Sequence, residues 1–600
     1  WLKAASEAVR EPRSCAYARS AAAMPPSPSE QRRRRSAPRL LLGLAPALLC
    51  AALHPKLSGL FASVDRAPRE TFCSLRSPCS SAQLRSAGPC GKTSHSPLER
   101  VLYLTPRCHA RCRGGIGASA AALAGAQRRA ESPLHLAAKP LADLEVVIVG
   151  AGPSGLLLAH KLLDAGARVE LLESRADPRN LDGGEGRAYA LGLGIRGRSA
   201  IRTVDDALWE AIKPSGFGSE RFQLHPTPTL KIELRSPDDG KGLEPSLLIY
   251  QSDLCGALLT ELEARHAAGG RLKIAFKVRV ESVDARTGIV VVQDAGGGGR
   301  RELAPAGLVA GCDGVNSIVR DAVQKACEGF SVTKEPLPGN LKVIRFAKMP
   351  EALDFDAVHA IPGSGGNSIF LEPTARGVCA LITWRDAAPA AAGGAEAKEG
   401  EAAPVSLGDL TDAEAVRDAL AKAFPLVADV VDLDAGQQFL SQKTTRAATI
   451  RCNTYHSARA VLLGDAAHSS GGASGQGCNA ALMDAVALVD CLVEGANEGV
   501  DVALLAYSQR RVPEGHALLD LSLGPSDEVG AFKKALFGLS TLVGNVLSRF
   551  GLGTPPIQTL ATTTLTPFAE MRRDREFFFG EFPTEAEFKK EVAVLAAASK

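Results

Sequence analysis

The sequence predicts an α/β chain built on a Rossmann-like nucleotide-binding domain, and three observations predict it. An apolar, β-branched run at 145–149 (EVVIV) leads straight into Gly150, Ala151, Gly152, Pro153, Ser154 and Gly155. A helical pattern over 156–167 and a second short strand over 169–172 follow, the latter ending in Glu173. Two later apolar runs, 308–311 and 461–463, lead into Cys312-Asp313-Gly314 and Gly464-Asp465. Strands alternating with helices in this way form parallel sheets, with ligands at the strand ends.

The glycines have separate tasks. Gly150 permits the tight turn, Gly152 lets backbone approach a pyrophosphate, and Gly155 lets helix and strand pack closely. The helix N-terminus then faces the anion. Glu173, 18 residues beyond the last glycine, is placed to accept hydrogen bonds from a ribose, which favours an adenosine without a 2′-phosphate. Motif, flanking strand, helix and acid coincide, so a bare glycine-rich turn does not explain the pattern.

Asp313 and Asp465 stand at the ends of the next two strands. A carboxylate there either binds a sugar or ribityl hydroxyl or caps the following turn. Downstream, Gly475-Gln476-Gly477-Cys478-Asn479 opens a helix over 480–494, whose first N–H groups suit a pyrophosphate or a flavin ring oxygen.

Composition narrows the classes. The chain has 600 residues, 22% charged and 45% hydrophobic, which excludes wholesale disorder and a bundle of membrane spans. Residues 1–140 carry 22 Lys/Arg against 7 Asp/Glu, and the remainder 47 against 59. An acidic body argues against nucleic-acid binding. The 14 Cys divide equally across that boundary and read as free thiols in a reducing compartment. Cys108 and Cys112 lack a second ligand pair at zinc spacing, so no metal is expected.

The leader reads as an address. Met24, the only Met before Met349, precedes Arg32, Arg33, Arg34 and Arg35 and a 14-residue, mostly apolar stretch at 40–53. Residues 61–139 are rich in Arg, Ser and Ala and poor in acids, as transit peptides are. Signal then transit, with Phe61 opening the second part, resembles the bipartite plastid presequence of algae with secondary plastids; a mitochondrial address is the alternative.

GAGPSG, CDGVNSIVR and GDAAH…GQGCN, in this order and at these separations, resemble the single-component FAD-dependent aromatic hydroxylases, and among them the kynurenine 3-monooxygenases. Gly186-Arg187-Ala188-Tyr189-Ala190-Leu191 and the 511–522 segment RVPEGHALLDLS support this. The resemblance covers about residues 143–575, with a break between Arg385 and Ser406. It implies a discontinuous FAD-binding domain (141–212, 250–335 and 446–500), a mixed β-sheet substrate domain (213–249 and 336–445, with a low-complexity insertion at 386–405) and a helical C-terminal region (501–600). Runs at 369–371 and 378–384 suit the covering sheet. It also implies bound FAD, NADPH or NADH as transient co-substrate, and O2 giving one oxygen atom to a small activated substrate. FAD contacts are expected at Gly150, Gly152, Pro153, Ser154, Gly155, Glu173, Ser174, Arg175, Arg187, Gln251, Asp313, Asp465, Gly475, Gly477, Cys478 and Asn479. The resemblance names no side chain for the chemical step, and His468 belongs to the family's structural signature.

The departures concern the substrate. Gln251 replaces a flavin-contacting Arg, and Gly472 replaces a Pro. A substrate-binding Asn falls on Pro525 and a substrate-binding Tyr on Gln558. Arg221 corresponds to the family's carboxylate-binding Arg only with a one-residue gap. A pocket for an amino acid group loses orientation through these changes. Two alternatives stay open: a reductase, dehydrogenase or epoxidase of an apolar plastid metabolite, and a flavin-binding protein without turnover. An apolar stripe over 529–549 (Phe532, Leu536, Leu539, Leu542, Val543, Val546) is expected to pack against the body, with membrane-surface contact as the second reading.

Overall fold

The computed structural model describes residues 139–598 apart from 181–188, 238–241, 295–298, 387–405, 473, 549–551 and 553. Arg187, the leader with Met24, Phe61, Cys108 and Cys112, and all but the first residue of the 386–405 insertion therefore lie outside the described residues.

A six-stranded sheet carries the nucleotide motifs. Its order is His456–Ser457, Ala460–Leu462, Leu308–Gly311, Glu145–Val149, Arg168–Glu173 and Leu272–Phe276. All neighbours are parallel except the short His456–Ser457 edge. Parallel strands buried on both faces need continuous apolar sequence, and Val146 to Val149 and Leu308 to Ala310 are fully inside. Helices Pro153–Asp164 and Gly477–Glu494 pack on each other over this sheet. Leu156, Leu157, Leu158, Leu162 and Leu163 fill the space between.

A second six-stranded sheet runs Asn340–Phe346, Gly377–Trp384, Ser368–Thr374, Ala357–Pro362, Arg221–Thr227 and Leu230–Arg235. Its strands come from both sides of the 250–335 segment, so chain order does not follow space. Register sets two faces. On one, Ile344, Ile361, Ile369, Leu371, Ala380, Ile382 and Trp384 form a core with Val416, Leu420 and Phe439 of helices Ala413–Ala423 and Leu433–Ser441. On the other, Val343 and Cys379 meet Ala190 and Tyr250 of the smaller Ala190–Leu193, Ser246–Tyr250, Phe217–Ser219 sheet.

The C-terminal region is helical and pinned by charge. The Arg196 guanidinium donates to the Ala561 and Thr566 carbonyls and lies 4.2 Å over the Phe568 ring. Glu514 accepts the Phe568 and Ala569 N–H groups at 2.8 and 3.1 Å. The stripe expected to pack does so only in part. In helix Ala531–Ser548, Phe532, Leu539 and Leu542 are exposed and Leu536 and Val543 part-buried, while the buried residue is Phe537, outside that stripe and edge-on to Phe578 and Phe579. The packed face lies about one position from the expected stripe, so Phe532, Leu539 and Leu542 are left at the surface. Among the described residues no helix is long and apolar enough to cross a membrane.

Candidate functional site

Parallel pairing brings four strand ends to one edge, and the sequence motifs arrive with them. Gly150 follows the central strand, with φ of 104°. A Cβ there would lie 2.4 Å from the Cys312 carbonyl oxygen, so only glycine fits. A Cβ on Gly155 would lie 2.1 Å from the Gly150 oxygen. At Gly152 the opposite holds, for a Cβ would meet nothing within 4 Å. Two glycines serve packing and the middle one opens on free space.

Gly152 is also the N-cap of the Pro153–Asp164 helix, and no side chain caps it. Pro153 has no N–H to leave unpaired, so the donors next in line, beginning at Ser154, face the opening. A helix N-terminus built this way receives an anion such as a pyrophosphate.

Glu173 lies beside this turn. It is 6% exposed, and its carboxylate accepts the Ala151 N–H at 2.9 Å, the Arg175 N–H at 2.9 Å and Arg175 Nε at 3.0 Å. The Ser174 hydroxyl adds a bond at 3.2 Å. Burial alone would raise its pKa; the Arg175 charge and the N–H donors outweigh that and hold the carboxyl below its ordinary range. The acid is thus ionised and pointed at the glycine loop, where a ribose would lie.

Among the buried acceptors left open in the described residues are Asp313 Oδ1 and Gln251 Oε1. Asp313 spends Oδ2 on the Ile318 and Val319 N–H groups, at 2.7 and 3.2 Å, but Oδ1 has no partner. Burial pushes its carboxyl up. Gln251 begins the helix Gln251–His266, and its Oε1 is likewise buried without a partner. Orphaned acceptors are rare in native proteins and mark where a donor belongs.

The third motif closes the same edge. Gly464, with φ of 58°, sits against the Ala481 Cβ, and Asp465 lies beside it, part-buried. Gly475, at φ of 66°, opens on free space, and helix Gly477–Glu494 starts with no side-chain cap. Cys478 lies in that first turn, and burial pushes its thiol up, away from thiolate chemistry. The Asn479 side chain has partners within the protein. Its Oδ1 accepts from Gly194 and Gly197 N–H at 3.0 and 3.1 Å, and its Nδ2 donates to the Gly192 oxygen at 2.9 Å. The side chain is consumed in fixing the 192–197 backbone to the helix start. Gly472 has φ of 79°, which the proline ring cannot adopt, so this loop takes a path of its own. Gln558 donates to the Ser474 oxygen at 3.4 Å and so touches the same loop. Pro525 lies just past the end of helix Val500–Leu523.

The structure adds a buried ionic cluster that sequence reasoning missed. Asp484, fully buried, accepts from His468 Nε2 and Arg511 Nε, both at 2.6 Å, and from the Gly464 N–H at 2.9 Å. The signal was a lone acid inside an apolar helix (NAALMDAV), which needs a partner to be buried. His468 is thus structural, locking the Gly464 turn to two helices.

Arg221 is corrected. Its guanidinium pairs with Glu233 at 3.1 Å, Asp354 at 2.7 Å and Asp356 at 3.1 Å. Its strand partner Ala357 shares a face with His359 and Ile361, the helix-packed face. Phe222, one residue on, points to the other side. The one-residue gap turned the assignment over, because side chains alternate along a strand. Arg221 holds acids together and does not reach the face opposite the nucleotide edge.

The family described as "FAD binding domain" matches residues 143–522. Kynurenine 3-monooxygenase of Salinispora arenicola is 32% identical over 392 residues, 63% of this chain and 78% of the relative. The Myxococcus xanthus enzyme of that name is 28% identical over 431 residues, 68% and 85% of the two chains. The structure of 2-methyl-3-hydroxypyridine-5-carboxylic acid oxygenase, 20% identical, aligns over 63% of this chain and 90% of its own with a TM-score of 0.49. The chain belongs to this family of FAD-dependent monooxygenases. FAD is its cofactor, with NAD(P)H as co-substrate, and the free cradle at Gly152, the uncapped helix and the orphaned Gln251 and Asp313 oxygens fit such a group.

Proposed function

We propose that this enzyme uses NAD(P)H and O2 to hydroxylate a small aromatic substrate, held between the nucleotide edge and the Val343–Cys379 face of the second sheet. The observation that carries it is the convergence of three separated motifs on one open edge, opposite an incompletely packed sheet face. FAD supplies the electron transfer and oxygen activation when bound. Gly152 and the helix N-terminus would take the pyrophosphate, and Glu173 the ribose. Gln251 and the Gly475–Cys478 turn would orient the ring. The sheet face would exclude water and hold the substrate. Because Arg221 is spent on three carboxylates, a kynurenine-like amino acid group has no cation waiting there. The pocket is kynurenine 3-monooxygenase-like in plan and altered in what it accepts.

The test is NADPH oxidation by the FAD-loaded full chain in air, with and without a panel of aromatics including kynurenine. Oxidation accelerated by one compound, with a product heavier by one oxygen, supports the reading. FAD that stays oxidised with every compound contradicts it. We further propose that residues 24–140 address the protein to an organelle, a plastid foremost, supported by the basic, acid-poor leader. A fluorescent fusion of that segment that remains in the cytosol would overturn this. The exposed Phe532, Leu539 and Leu542 support contact with a membrane surface, which sedimentation with vesicles tests.

A further inference from the structure

The sheet face opposite the nucleotide lobe is unevenly packed: Val343, Ala360, Thr374 and Cys379 on it are buried, and the residues between them are not. Along Ser368–Thr374, Ile369 and Leu371 are buried against the helices, whereas Ser368, Phe370 and Glu372 on the other face are only part-buried. Along Gly377–Trp384, Leu381 and Thr383 are part-buried beside fully buried Ala380 and Ile382. Phe222, Leu224 and Val358 continue the pattern. This face is covered in part, since Cys379 Sγ accepts the Ala190 N–H at 3.3 Å and Val343 packs with Tyr250, while Phe370, Glu372 and Leu381 keep part of their surface free. A face covered only in part leaves side chains free to meet a ligand.

Glu372 is the carboxylate on that face. It stands directly across from Cys379 in the register. No hydrogen bond or ion pair involves it among the described residues. A cation on the same face, Arg345, lies beyond Cys379 in the register and is engaged 4.6 Å from the Tyr250 ring. Burial pushes the Glu372 carboxyl up to about 7, the direction expected when nothing compensates its charge. A part-buried carboxylate without a partner is costly, and it is tolerated where a ligand completes it.

We propose that Glu372 is a specificity-determining residue that selects an aromatic substrate bearing a hydrogen-bond donor, above all a protonated amine, and rejects aromatic carboxylates. This rests on the reading of the sheet face as the substrate side. An ammonium supplies the donor and the charge that Glu372 lacks. A carboxylate meets like charge, with Arg221 turned away behind the sheet.

Three 4-substituted phenols whose side chains end in an ammonium, a methyl and a carboxylate separate the chemistry: tyramine, 4-ethylphenol and 3-(4-hydroxyphenyl)propionate. Each is titrated into the FAD-loaded full chain, and binding is read from the perturbation of flavin absorbance. Tyramine is expected to bind at least about 10-fold more tightly than the propionate. Glu372→Gln should weaken tyramine about 10- to 100-fold and leave 4-ethylphenol within about threefold. Glu372→Asp, which keeps the charge, should retain the preference. Propionate binding as tightly as tyramine, or tyramine unaffected by Glu372→Gln, overturns the proposal. If FAD is bound and none of the three perturbs it, the proposal fails while the flavin reading stands. If FAD itself does not bind, the flavin reading fails.

Discussion

The nucleotide edge and the sheet face that opposes it are built by different rules. At the edge, short-range motifs dictate the shape: glycines spaced for a turn, a helix start without a cap, an acid held by its own neighbours. On the sheet face, meaning comes from register. Whether a side chain faces the enclosed space or the helices depends on a single residue of offset, as Arg221 and Phe222 show. Edges of the first kind can stay constant while faces of the second kind change by one substitution at a time. That is how one redox scaffold accommodates different substrates.

The largest expected effect lies within the glycine motif. Gly152→Glu should abolish FAD binding, by more than about 100-fold, yet leave the fold intact, because its side chain projects into open space. Gly155→Ala should instead cost folding, since its Cβ meets the Gly150 oxygen. Flavin absorbance and thermal melts on the two variants separate binding from packing. Equal loss of fold in both would break the distinction.

Asp484→Ala comes next. It strips His468, Arg511 and the Gly464 N–H of a shared acceptor in the interior, at a cost of about 3–5 kcal/mol in denaturant unfolding. A loss under about 1 kcal/mol would show that the cluster does not hold the third motif in place.

The sheet face predicts a contrast in kind. Arg221→Ala should lower stability by about 1–3 kcal/mol while leaving the affinity for whichever aromatic binds unchanged, since it faces away. Phe222→Ala should do the reverse, weakening binding more than folding. An Arg221 variant that loses substrate affinity without loss of stability would restore the original assignment.

Two further effects are read through pH. His160, His359, His456 and His516 are held neutral by burial, each lowered to about 4 from 6.5. The folded state therefore binds fewer protons than the unfolded one. Their contribution is full above pH 6.5 and is lost as pH falls from 6.5 towards 4. Melting temperature should fall steeply across that window. Glu372 runs the other way: its raised pKa makes the folded state bind more protons, so a penalty grows as pH rises from about 4.5 to 7. Glu372→Gln should raise the melting temperature at pH 8 and leave it unchanged at pH 4.

Much of the edge was legible because its information is local. The spacing of Gly150, Gly152, Gly155 and Glu173 already implied strand, turn, helix and acid in contact. Asn479 was read as a flavin contact from its place in the motif; what the sequence did not show is its side chain's partners at Gly192, Gly194 and Gly197, more than 280 residues away in the chain. Periodicity cannot report such pairs. Glu372 was invisible for the same reason: the apolar run at 369–371 announced a strand but not which face would be left unfilled. The helix over 531–548 was legible, whereas its buried side was not, because Phe578 and Phe579, which settle it, come from a later segment.

The central claim is that FAD binds at the Gly152 edge. The most direct measurement is the flavin content of the purified full chain after incubation with FAD, compared with that of Gly152→Glu. One FAD per wild-type chain and none on a variant with the same melting behaviour is the result predicted. No FAD on the wild type, or equal FAD on both, would contradict it.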